Sequence, residues 1–146
     1  MGGKSALKIL LDSNVLFPAW LYPQGVCAKA FVKALGDSRF SVVVCTYSAE
    51  ELLNVCNRKH PGRMAEIQSF MSEIFLKVKL VATPPDSEKI PEEELVRDVK
   101  DHPILCAAVA AGVDVVVTGD KDLIEAGLTS VKVVHPADFI ALDLRA

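Results

Sequence analysis

The chain has 146 residues, 51% of them hydrophobic, and a formal net charge of −3. Such a length suits one domain, expected to span residues 1–146, and buries roughly 68–70% of the unfolded surface without a disulfide or metal staple. The acidic balance speaks against a broad basic nucleic-acid surface, no apolar run reaches the ~18–20 residues of a membrane span, and Cys27, Cys45, Cys56 and Cys106 fall at no zinc-binding spacing.

Residues 1–8 lack the apolar core of a signal peptide. A cytoplasmic location with reduced core thiols is therefore expected. Gly2-Gly3-Lys4-Ser5 resembles the tail of a phosphate loop, but the earlier glycine is missing and a strand follows instead of a helix. Residues 9–11 are apolar at consecutive positions, which suits a strand buried on both faces of a parallel sheet. Asp12 ends that run, at the strand end where open α/β sheets bind ligands. Taken alone, it serves equally well as the N-cap of the next helix. Residues 14–22 read as a short helix stopped near Pro23, and residues 26–35 as a second helix. Residues 41–45 form a second strand, and Thr46-Tyr47-Ser48 marks the start of a helix that is periodic over 50–58. Pro61-Gly62 breaks it. Met64, Ile67, Phe70, Met71, Ile74 and Phe75 then repeat at helical intervals, giving an amphipathic helix over 63–76 with a core or dimer face.

A third strand is expected over 78–81, followed by an acidic stretch from Pro84 to Glu94 that reads as a mobile loop or short helix. Asp101-His102-Pro103 opens a helix over 104–111, closed by Gly112. Residues 113–118 are a fourth strand, Gly119 to Asp122 turn into a short helix, residues 131–134 are a fifth strand, and Pro136 begins a last helix over 137–142. Strands alternating with helices imply parallel βαβ units and an α/β fold.

Parallel strands share a direction, so their carboxyl ends line one edge. Asp12 follows the first strand directly, and Asp120 follows the fourth after Thr118-Gly119. Glu51 lies in the first turns of the helix leaving the second strand. Asp101 begins a helix that runs back along the fourth strand, so its start lies at the same edge. Carboxylates brought this close raise one another's pKa and repel, a cost that a cation removes. Oxygen ligands without His or Cys suit Mg²⁺ or Mn²⁺. Phosphoryl chemistry is the commonest use of such a site: the ions activate water and neutralise the charge that develops during in-line phosphodiester cleavage.

Leu-Leu-Asp-Ser-Asn-Val-Leu (10–16), Glu-Glu-Leu (50–52), Asp-His-Pro-Ile-Leu-Cys-Ala-Ala (101–108), Val-Val-Thr-Gly-Asp-Lys-Asp-Leu (116–123) and Val-Val-His-Pro-Ala-Asp-Phe (133–139) occur in that order. Together they resemble a PIN domain over nearly the whole chain, and within that family the toxins of toxin–antitoxin pairs. The resemblance implies a three-layer α/β/α sandwich with a central parallel sheet of about five strands, and a Mg²⁺- or Mn²⁺-dependent ribonuclease. It implies that Asp12, Glu51, Asp101 and Asp120 form the catalytic, metal-holding cluster, and that Asp122 holds a metal or a water beside it. Asn14 and Thr118 match polar positions that order the site by hydrogen bonds. An RNA substrate, a small antitoxin partner and a homo-oligomer follow as expectations, with no membrane association.

Several placements stay open. Glu50 and Glu51 stand ~100° apart on a helix, so one of them faces the site. The spacing from Thr46 selects Glu51, unless that residue closes a capping box with Ser48. Asp98 competes with Asp101. Lys121 touches a phosphate or is a solvated charge, and His102 and His135 lack spaced partners for a metal. Arg58, Lys59, His60 and Arg63 either contact an RNA backbone or serve as favourable cations at a helix C-terminus. Phe17 and Trp20 are expected in core or dimer packing, rather than stacked on bases. Two alternatives compete with the nuclease: a non-catalytic PIN-like module that binds RNA or protein, and an aspartate-based phosphatase or receiver-like domain. Against the latter, Asn14 replaces a second aspartate, and Val81-Ala82-Thr83 stands where a receiver carries one.

Overall fold

The computed structural model describes residues 6–85 and 90–142. The Gly2-to-Ser5 tract and residues 86–89 of the acidic stretch lie outside the described residues. The elements are β1 (Leu7–Leu11), α1 (Ser13–Leu21), α2 (Val26–Gly36), β2 (Phe40–Cys45), α3 (Thr46–Lys59), α4 (Met64–Ile74), β3 (Lys79–Val81), α5 (His102–Ala110), β4 (Val115–Val117), α6 (Lys121–Ile124), β5 (Lys132–Val134) and α7 (Pro136–Ala141). Single 3₁₀ turns cover Pro61–Arg63, Pro91–Leu95 and Val99–Asp101. Among the described residues, no helix is long and apolar enough to cross a membrane.

The strands pair in parallel in the order β3-β2-β1-β4-β5. Their consecutive apolar residues alternate between two buried faces, as an internal parallel sheet requires. Ile9, Leu11, Val42, Val44, Val115 and Val117 pack with residues of α1, α2, α3, α4 and α7 on one face. Leu10, Val43, Cys45 and Val116 pack with Ile104, Leu105, Ala107 and Ala108 of α5 and with Leu123 of α6 on the other. The expected three-layer arrangement around a five-stranded sheet is thus the observed one.

Differences from the expected boundaries have local causes. The helix expected over 63–76 stops at Ile74, because the N–H groups of Leu76 and Lys77 turn back to Glu73 and Ile74 in tighter bonds. The fourth strand begins later than expected because the Val113 N–H is spent on the carbonyl of Ala108. That bond and the one from Gly112 N–H to Val109 form the paired closure of a Schellman motif around α5. Gly112 adopts φ +68° there, in the left-handed region. In the acidic stretch, the part from residue 90 on is built of 3₁₀ turns around a buried carboxylate, Glu93. It accepts from the Ile90 N–H (2.8 Å) and from the Cys106 thiol (3.2 Å), and faces His102 Nδ1 at 3.2 Å.

The two glycines at helix ends separate conformation from packing, since neither has a neighbour within 4 Å of an added Cβ. Gly112→Ala is expected to cost about 1–2 kcal/mol in urea unfolding, the penalty for a side chain in the left-handed region. Gly36→Ala, in an ordinary helical conformation, is expected to be neutral or to stabilise by up to about 1 kcal/mol. Equal effects at both positions would contradict this account of the α5 terminus.

Candidate active site

The switch in strand direction of travel creates the site. From β1 the chain winds outward to β2 and β3, then returns across the sheet to β4 and β5. Ligand crevices of open α/β sheets form at the carboxyl ends of such a switch. Leu11 lies opposite Val117, so the next residues, Asp12 and Thr118, stand side by side.

Asp12 is 4% exposed. Its Oδ1 accepts from the Ser13 N–H (2.7 Å) and the Ser48 hydroxyl (3.3 Å), and its Oδ2 accepts from the Thr118 hydroxyl (2.9 Å). Burial still pushes its carboxyl pKa upward, against these bonds. It also caps α1, so the capping and the site-forming readings both hold. Asn14 Nδ2 donates to Thr118 Oγ1 (3.0 Å), while Asn14 Oδ1 accepts from the Gly119 N–H (3.0 Å). This side chain pins the turn that carries Asp120. Asp120 in turn caps α6, its Oδ1 accepting from the Asp122 N–H at 2.9 Å.

Asp101 is 7% exposed, at the start of α5. Its Oδ2 is buried with no hydrogen-bond partner. Burial, followed by the hydrogen bond and charge of neighbouring Asp120, pushes its pKa up to about 8. One carboxylate oxygen each from Asp98, Asp101 and Asp120 lies within 4.8 Å of the others. Asp12, Glu51, Asp98, Asp101 and Asp120 all line one cavity of about 530 Å³. Of the two competing glutamates, Glu51 lines that cavity and Glu50 is exposed elsewhere.

The other sequence candidates divide between the cavity and its surroundings. Asp122 Oδ1 accepts from Arg97 Nη2 at 2.6 Å, and its carboxylate is in this ion pair, outside the cavity lining. Lys121 is exposed and likewise not in the lining. His102 Nε2 faces the Val96 carbonyl at 2.9 Å, and His135 Nδ1 caps α7 by accepting from the Ala137 N–H at 3.1 Å. Arg58 and Lys59 line the cavity, whereas Arg63 lies over the Trp20 ring and pairs with Glu66. Phe17 is buried and lines the cavity wall, with Lys59 Nζ 6.0 Å from its ring centre. Sequence reasoning read Tyr47 and Ser48 only as a helix start. Ser48 is fully buried against Asp12, and Tyr47 lines the cavity. Burial, then the charge of Glu51, pushes the Tyr47 phenol pKa up.

A set of carboxylates with an orphaned buried oxygen fits a hard divalent cation. With no cation, the proton on Asp101 has a signature in stability. Between the ordinary carboxyl range and about pH 8, the folded chain keeps a proton that the unfolded chain has released, so stability falls as pH rises. Asp37, held at about 2 by its hydrogen bonds with Arg39, and Glu92, held at about 2 by Ser130 and Thr129, act oppositely but only below about pH 5. In EDTA, Tm is expected to drop from pH 5 to pH 8, and Asp101→Asn to reduce that slope, with Asp12, also raised by burial, acting in the same sense. A flat profile for the unmodified protein would place Asp101 in the ordinary carboxylate range.

The PIN domain family model matches residues 8–122. No curated protein is matched. Several solved structures share the fold. VapBC2 from Rickettsia felis, bound to a DNA fragment from its promoter, aligns over 88% of this chain and 98% of its own, with a TM-score of 0.66 at 12% identity. DNA-bound VapBC from Salmonella typhimurium aligns over 89% and 98%, with a TM-score of 0.63 at 15% identity. VapC20 from Mycobacterium tuberculosis, a sarcin–ricin loop cleaving toxin, aligns over 84% and 98%, with a TM-score of 0.56 at 17% identity. With the matched region running from the strand that carries Asp12 to the turn that carries Asp120, this chain belongs to the PIN domain family.

Proposed function

We propose that this chain is a divalent-cation-dependent endoribonuclease, and the toxin of a toxin–antitoxin pair. The observation that carries the reading is the convergence of acids from separate segments on one cavity, with a buried Asp101 oxygen left unpaired. Asp12, Glu51, Asp101 and Asp120 would hold the cation. When bound, Mg²⁺ or Mn²⁺ supplies Lewis acidity towards water and towards the phosphoryl oxygens. The chain itself supplies orientation. Ser13, Ser48 and Thr118 fix both oxygens of Asp12, and Asn14 ties the Thr118-Gly119 turn to α1. Arg58 and Lys59 bring positive charge to the same cavity, where a phosphate backbone needs it.

The RNA substrate is supported by the fold shared with VapC20, a toxin that cleaves the sarcin–ricin loop. An antitoxin partner is supported by the fold shared with VapBC assemblies. A receiver domain has the strand order 2-1-3-4-5, which differs from the order here. A phosphatase needs a second acid where Asn14 instead bonds Thr118 and Gly119.

Cleavage of a mixed single-stranded RNA should require Mn²⁺ or Mg²⁺ and stop in EDTA. Asp12→Asn and Asp120→Asn should each lower the rate at least about a hundredfold, the top of the range of about 10–100-fold that losing a mere outer partner of a metal ligand costs. Activity that survives both substitutions would sink the proposed site. In EDTA, with cleavage off, Lys59→Ala should weaken binding of the same RNA. It should also reduce the slope of log affinity against log salt by about 0.7. An unchanged slope would put Lys59 outside the RNA path.

A further inference from the structure

We propose that Asp98, which the motif match leaves out, is a direct ligand of the same cation, together with Asp101 and Asp120. The proposal rests on the cation-dependent reading above. Its first support is distance: the three carboxylates each offer an oxygen within 4.8 Å of the other two. Oxygens across an octahedral Mg²⁺ stand about 4 Å apart, so closure of the set by less than about 1 Å lets one ion bridge it. The second support is the Asp101 carboxyl, buried in the same cluster with one oxygen unpaired. Asp12 differs, because protein donors already reach both of its oxygens.

Asp98 is also held in place from both sides. Its Oδ1 accepts the Lys100 N–H at 3.0 Å, which starts the 3₁₀ turn leading to Asp101. The preceding residue, Arg97, reaches Asp122 at 2.6 Å, two positions beyond Asp120. The pair therefore ties the backbone carrying Asp98 to the backbone carrying Asp120. Asp122 acts in this latch, through Arg97, while Asp98 takes the ligand position.

Binding of Mn²⁺ alone, followed by loss of its free electron paramagnetic resonance signal, tests the assignment without any turnover. The unmodified protein is compared with Asp98→Asn, Asp98→Ser and the exposed control Glu50→Gln. Asn and Ser both keep an oxygen to accept the Lys100 N–H, and Tm in EDTA checks that each variant folds. Both Asp98 variants should bind Mn²⁺ at least about tenfold more weakly, with Glu50→Gln unchanged. Binding by a folded Asp98 variant as tight as that of the unmodified protein would overturn the ligand assignment and leave the nuclease reading standing. No Mn²⁺ uptake by the unmodified protein at millimolar concentration would overturn both.

Discussion

The parallel pairing of β1 with β4 is the constraint on which the site depends. With Leu11 opposite Val117, the backbone N–H of Asp12 reaches the Val117 carbonyl at 3.1 Å, and the Thr118 hydroxyl reaches Asp12 at 2.9 Å. The same register sets Asn14 against Thr118 and Gly119, which directs the turn to Asp120. Side chains alternate along a strand, so a slip of β1 by one residue would send Leu11 to the opposite face and separate these partners. The apolar layers packed on both faces forbid that slip. Fold stability and site assembly thus rest on one pairing.

Two buried acids meet the cost of burial differently. Asp12 spends its charge on hydrogen bonds from Ser13, Ser48 and Thr118. Asp101 has no such donors for its buried Oδ2, and Asp120 and Asp98 add like charge beside it. An uncompensated buried charge is expensive, and burial with these acidic neighbours pushes the Asp101 pKa up to about 8. Asp12 is therefore pre-oriented at the cavity by its donors, whereas Asp101 presents a buried oxygen without one.

The sheet and the ends of its strands were legible because their signals are local. Consecutive apolar residues stop at Asp12 and at Thr118-Gly119-Asp120, and each stop marks a strand end without reference to distant residues. Asp101 required one further step, the reversed direction of α5. Glu51 over Glu50 followed from its spacing from Thr46, and Glu51 is the one in the cavity lining. What stayed hidden depends on long-range contacts. Ser48 reads as a helix start, yet its hydroxyl meets Asp12 across 36 positions. Asp98 reads only as a competitor of Asp101 for one position. Its placement beside Asp101 and Asp120 follows from a 3₁₀ turn and from the Arg97–Asp122 pair, which spans 25 positions. Glu93 lies in a run that composition marks as a polar loop, and only the tertiary fold buries it with Cys106 and His102.

The central claim is that these acids converge to hold a divalent cation. The most direct measurement is a crystal structure grown with MnCl₂ and recorded for manganese anomalous scattering. The account predicts an anomalous peak inside the cavity, in contact with the Asp101 and Asp120 carboxylates. Saturating Mn²⁺ with no peak there, and Asp101 and Asp120 closed on each other through a proton, would contradict it.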